Sequence, residues 1–168
     1  MVSQELDLII HLGDYIYEGG AGRSSLRRHI GPELVTLEQY RNRYAQYKTD
    51  EDLQAAHAAC PWFVTWDDHE FDNNYANDIS EQPNIAVEAF LKRRADAYQA
   101  YYEHMPLRKR SIPHGPDMRI YQRAAFGRLA DFFVLDTRQY RTDQPNGDGL
   151  KPPAGDVLDR KSARYGKS

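Results

Sequence analysis

The sequence is short of several things, and each shortage excludes something. It has one cysteine, Cys60, so no internal disulfide can form. Beside Pro61, at the end of a helical pattern, that thiol reads as a small packed hydrophobe. No stretch approaches the ~20 apolar residues of a membrane-spanning helix. The opening "MVSQELDLII" has no basic region leading into an apolar run and a cleavage site, so no signal peptide is expected in it. Positive charge is not in excess. The 22 Lys and Arg face 25 Asp and Glu, for a net charge of −3. The arginines form no continuous basic stripe, so nothing calls for a nucleic-acid partner. There is no internal repeat and no low-complexity segment.

What the chain does have is tyrosine, 12 of them in 168 residues, large apolar bodies with polar tips. A hydrophobic share of 40% with 28% charged residues fits one soluble globular domain, or part of one. Leu6 to His11 reads as a short buried strand bounded by Gly13. Thr36 and Gln39 form a capping-box pattern. Leu37, Tyr40, Tyr44 and Tyr47 then recur at helical spacing, and this Tyr stripe reads as core. Asp50 caps a second helix, from Glu51 to about Ala59, which Pro61 stops. Trp62 to Trp66 is aromatic and β-branched, a second buried strand. Asn84 to Glu103 reads as a long helix with Ala86, Phe90, Ala97 and Tyr101 inward. Arg119 to Phe126 and Leu129 to Leu135 pair as a hairpin near Gly127, and from about 137 to 168 the chain reads as polar loop. Strands alternating with helices predict an α/β core of about four strands and two or three long helices.

Polar groups gather just past the predicted strand ends, where α/β proteins carry their sites. "HLGDYIYE" offers Asp14, Tyr17 and Glu18. "WDDHEFDNNY" offers Asp67, Asp68, His69, Glu70, Asp72, Asn73 and Asn74. A third strand end offers Asp136, Arg138 and Tyr140. Several carboxylates at one point stay ionised only if cations neutralise them. Asp, Asn and His suit hard or borderline metals, and a phenolate favours ferric iron. Two metals about 3.5–4 Å apart make a site for displacement at phosphorus. Each residue also has a plainer reading. Asp14 can begin a turn, Tyr17 can be a packed phenol, and Asp67 and Asp68 can cap a helix. His69 can be structural, Asn73-Asn74 a turn, and Arg138 a partner of Asp136 or of a neighbouring helix. His11 packs within its strand, and His29, His57, His104 and His114 receive no role.

"HLGDYIYE", "WDDHEFDNNY", "LDTRQYR" and "GDGLKPP", in that order, resemble the PhoD-like family, the alkaline phosphatase D group of metallophosphoesterases. The resemblance covers essentially the whole chain. It implies a partial α/β/β/α sandwich, a phosphate-ester substrate and a metal-dependent phosphomonoesterase or phosphodiesterase using Fe(III) and Ca(II). It makes Asp14 a bridging metal ligand, Tyr17 an iron-binding phenolate and Asp68 a further ligand. His69 becomes the residue that stabilises the transition state or protonates the leaving oxygen, and Arg138 orders the site or contacts phosphate. Family members are often secreted, periplasmic or held at the cell envelope.

The departures set further expectations. The family's earlier iron ligand, typically a cysteine, has no match here, because Cys60 sits elsewhere. The family's later Asp-Val-His type motif has none either. The chain is therefore expected to be a single partial domain, an internal fragment that is marginally folded and catalytically poor alone. Two other readings stand beside this one. One reads the chain as a non-catalytic remnant kept as a packing or assembly partner, the other as a metal-free hydrolase using Asp67 or Asp68 with Glu70.

Overall fold

The computed structural model describes residues 5–22 and 27–143. It is a mixed α/β arrangement with three α-helices and two small sheets among the described residues. The first sheet is a parallel pair, β1 (Ile9–His11) on β2 (Trp62–Val64), with Ile10 opposite Phe63. Both strands are shorter than their apolar runs predict. The Ile9 amide donates to the Pro61 carbonyl, but Pro61 has no N–H to return, so the ladder cannot extend past it. At the other end Gly13 turns the chain at φ 118°. Trp66 thus lies beyond β2, yet it is buried and stacks on Tyr98 with centroids 4.3 Å apart.

Helix α1 (Leu37–Tyr47) starts as the capping box requires: the Thr36 hydroxyl accepts the Gln39 amide, and the Gln39 side chain accepts the Thr36 amide at 3.0 Å. Its Tyr40 and Tyr44 are fully buried, while Leu37 and Tyr47 pack at the core's edge. Asp50 caps α2 (Glu51–Ala59) through the Leu53 amide at 3.0 Å, and half-buried Cys60 ends it. Helix α3 (Val87–His104) begins later than the sequence suggests. Asn84 has φ 75°, outside the right-handed helical region, and the N-cap falls to Ala86, which is exposed rather than inward. Phe90, Ala97 and Tyr101 do face the core, joined by Arg93, Arg94 and Tyr98. A 3-10 turn (Lys109–Ser111) leads to the hairpin of β3 (Gln122–Phe126) and β4 (Ala130–Val134), which turns at Gly127 with φ 56°. "GDGLKPP" and the rest of the expected polar loop from 144 onward lie outside the described residues.

The core is a tyrosine-rich cluster between α1, α3 and the strand ends. Some of its phenols are tied as well as packed, with Tyr40 donating to the Phe71 carbonyl at 2.7 Å and the Tyr75 and Tyr98 hydroxyls meeting at 3.0 Å, whereas the Tyr44 and Tyr101 hydroxyls are buried without a partner. On the other side of β1 and β2, a groove of about 400 Å³ separates the pair from β4. Leu12, Phe133 and Leu135 along it are exposed.

One core-edge histidine gives the fold a pH dependence. His57 stacks flat on Trp62 at 4.0 Å and bonds the Tyr15 hydroxyl at 2.8 Å. Burial, then the nearby Lys48 and His11, lowers its pKa below the ordinary 6.5. The unfolded chain therefore takes up this proton first. The contribution of this histidine to stability is expected to fall as pH drops through about 6.5 and to level off below the folded value. Burial lowers His11 as well, with the same sign. The contribution is read as a difference. In urea unfolding from pH 8 to 5, the stability of His57→Gln is expected to fall less, or rise more, than that of the wild type, because His69 and Glu70, whose pKa values are raised, act with the opposite sign in both chains. An equal change in the two contradicts the assignment.

Candidate metal centre

Because β1 and β2 run parallel, their carboxyl ends open on one side, and the two acid-rich knots meet there. The loops touch backbone to backbone. A Cβ on Gly13 would lie 2.3 Å from the Asp67 nitrogen, so only glycine fits the crossing. Asp14 follows in the left-handed region at φ 57°, a conformation costly for a non-glycine residue and concentrated at functional sites.

At this crossing one ligand atom each from Asp14, Asp68 and His69 lies within 4.8 Å of the other two. The Oδ1 atom of Asp14 is buried and has no hydrogen-bond partner. An orphaned carboxylate oxygen beside a second carboxylate and an imidazole is a donor set that suits a hard or borderline cation. Tyr17 stands at the edge of the cluster. Its hydroxyl donates to Asp14 Oδ2 at 3.3 Å, and its ring lies 4.4 Å from the His69 ring. Burial and the neighbouring Asp14 raise its pKa, so without a cation it is a neutral phenol.

Arg138, just past the end of β4, reaches across 70 positions to this place. Its Nε donates to Asp67 at 2.6 Å and one terminal nitrogen donates to Asp68 at 3.0 Å. The alternative pairing with Asp136 does not occur through the guanidinium. Asp136 instead accepts the backbone amides of Arg138 and Gln139, capping the turn. Arg138 NH1 is buried without a partner. Burial opposes ionisation of both acids. Arg138 nevertheless brings Asp67 below the usual carboxylate range, whereas Asp68 stays above it.

Sequence reasoning assigned no role to Glu18, and the structure gives it one. Buried Glu18 bonds His69 Nδ1 at 2.8 Å through one oxygen and accepts the Asn73 amide at 3.0 Å through the other. It orients the ring and leaves Nε2 as the free nitrogen. The bond to Glu18 raises the His69 pKa to about 9, so the metal-free chain carries an imidazolium at neutral pH. In the sequence Glu18 was one more acid in the first knot; only an acid with a carboxylate to spare past Asp14 hinted at a partner for the histidine.

The remaining acids are accounted for separately. Asp72 pairs with Arg93 from α3 at 2.9 Å. Glu70 is buried and takes backbone amides, and burial raises its pKa to about 7. With Asp67 and Asp68 held by Arg138 and Glu70 enclosed, the acid–base pair needed for metal-free hydrolysis is not presented to a substrate. Asp67 and Asp68 cap no α-helix, although the Asp68 carbonyl starts a single turn by accepting the Phe71 and Asp72 amides. Asn73 and Asn74 do form a turn, with Asn74 at φ 52°.

A mixed α/β scaffold with a carboxylate–imidazole cluster at the rim of parallel strands is thus a candidate cation-binding protein. The chain belongs to the PhoD-like phosphatase family, whose model matches residues 1–167. It is 56% identical over 172 aligned positions to alkaline phosphatase D of Bacillus subtilis (strain 168). That alignment takes in 99% of this chain and 29% of the relative. A solved structure described as the structure of PhoD matches 91% of the chain at 59% identity and a TM-score of 0.85, and the chain covers 30% of it. The chain therefore spans less than a third of the length of the proteins it matches.

Proposed function

We propose that the chain carries one part of a metal-dependent active site for phosphate-ester hydrolysis, and that alone it is a weak catalyst. The observation that carries this reading is the convergence of Asp14, Asp68 and His69, together with a buried, unpartnered oxygen on Asp14. Asp14 and Asp68, with Tyr17 as a phenolate, would hold the cations, which family resemblance suggests are Fe(III) and Ca(II). Bound cations supply an activated water and charge to balance the phosphoryl oxygens. The chain's own residues do the rest. His69, kept protonated by Glu18, would donate a proton to the leaving oxygen, a role its raised pKa and Glu18 bond support. Arg138 offers its unpartnered NH1 to a phosphoryl oxygen while its other nitrogens fix the two aspartates. Weakness alone follows from having few ligands: an incomplete set lowers both affinity and orientation.

The test is cation uptake. Calorimetric titration of the metal-stripped chain with Ca²⁺ is expected to show one weak site that Asp14→Asn weakens by about tenfold or more. Equal uptake by the wild type and Asp14→Asn rejects the proposed centre.

A further inference from the structure

Glu70 ends the "DDHE" stretch and has no part in the chemistry above. It is 2% exposed. One of its oxygens accepts the amide of Tyr15, the residue after Asp14, across 55 positions of sequence. The other accepts the amide of Asp67, the residue before Asp68, at 2.9 Å. A single carboxylate thus joins the backbones of the two ligand-bearing loops, each at the residue next to its ligand.

The other links between these loops, from Glu18 to His69 and to the Asn73 amide, sit four residues past Asp14 rather than beside it. The β1–β2 ladder is only three residues long on each strand, and its last bond, from the Thr65 amide to the His11 carbonyl, comes before either ligand. Beyond it, the contact of Gly13 with Asp67 sets how closely the loops approach but not how they slide along each other. The bond from Glu70 to Asp67 is local, of the sort that stabilises any turn. The bond to Tyr15 is not local and has no role within the turn.

We propose that Glu70 is a positioning residue whose bridge between the Tyr15 and Asp67 amides sets the separation of Asp14 and Asp68, and so the cation affinity of the site. This rests on the reading of Asp14, Asp68 and His69 as a cation site. A carboxylate does the task because it offers two strong acceptors. A glutamine in the same space keeps one acceptor and turns an N–H₂ toward the second amide.

The experiment compares Ca²⁺ titrations of the wild-type chain, Glu70→Gln, Asp14→Asn and Leu53→Ala, at a temperature where urea unfolding shows each to be folded. Leu53 packs at the core's edge on α2, outside both loops in sequence, and reports lost stability alone. Glu70→Gln is expected to weaken Ca²⁺ binding by about 10–100-fold, with Leu53→Ala close to wild type. Wild-type affinity in Glu70→Gln, with Asp14→Asn impaired, overturns the positioning role and leaves the cation site standing. Equal weakening by Leu53→Ala and Glu70→Gln also overturns it, since stability then explains the effect. Unimpaired binding by Asp14→Asn removes the site itself and this inference with it. Hydrogen exchange on the wild-type chain supplies a measurement that needs no variant. The Tyr15 amide is expected to be protected as strongly as the β1–β2 ladder amides, and exchange at an open-loop rate overturns the bridge.

Discussion

Arg93→Met is expected to lower the unfolding free energy by about 3–5 kcal/mol, the usual result of removing one partner of a buried ion pair. Arg93 enters from α3 into the middle of the core. It donates to Asp72 at 2.9 Å, to the Tyr40 hydroxyl at 3.0 Å and to the Phe71 carbonyl at 3.3 Å. Its fourth contact, Glu33 at 3.2 Å, is half exposed and matters less. Asp72 is 2% exposed, and burial already pushes its carboxyl above the usual range with Arg93 beside it. Methionine fills much of the arginine stem's volume but leaves that carboxylate facing a low-dielectric interior. The loss is expected to shrink as pH falls, because the stranded acid escapes its cost by protonating. Adding Asp72→Leu is expected to recover a large part of the stability. Urea unfolding of the single and double variants at pH 7 and pH 5 decides it. A loss under 1 kcal/mol would mean that the pair is hydrated in solution.

His69→Ala is expected to slow phosphate-ester hydrolysis by on the order of 10²–10⁴-fold, the range for losing a positioned acid. The measurement uses a chimaera in which the chain replaces the matching segment of Bacillus subtilis alkaline phosphatase D, so that the site is complete. The geometry makes the expectation selective. Glu18 fixes Nδ1, and the ring, one nitrogen of which lies within 4.8 Å of carboxylate oxygens of Asp14 and Asp68, keeps its proton to about pH 9. Cation content is expected to change little, since Asp14 and Asp68 keep their places. Glu18→Gln, which keeps a hydrogen bond but removes the charge, is expected to fall between wild type and His69→Ala. Loss of metal together with turnover would make His69 a ligand rather than an acid.

The scaffold was readable from local signals. Thr36 with Gln39, Asp50 before Glu51, the Tyr40–Tyr44 spacing and Gly127 each act within a few residues, and each does its expected work in the structure. That the first two knots come together was readable from their places at strand ends, and β1 and β2, running parallel, put both ends on one side; Arg138 reaches them from the end of antiparallel β4, which strand ends alone do not dictate. The division of labour among the acids of "WDDHEFDNNY" was not. Asp67 and Asp68 go to Arg138, Asp72 goes to Arg93, and Glu70 goes to the Tyr15 amide, over separations of 21 to 71 positions. Nothing in spacing or propensity encodes such partners; they are fixed only when helices and loops close around the knot. The late start of α3 is a smaller case of the same kind, since a left-handed Asn84 is a turn choice that helical periodicity does not register.

The three-residue parallel ladder has a thermodynamic consequence. Unfolded, the two knots are separated by some fifty residues of chain and constitute no receptor at all. Zipping six residues side by side brings the scaffold and the carboxylate cluster into being together, so an ion held there would act as a folding partner, and its concentration would shift the population of native molecules as surely as temperature does.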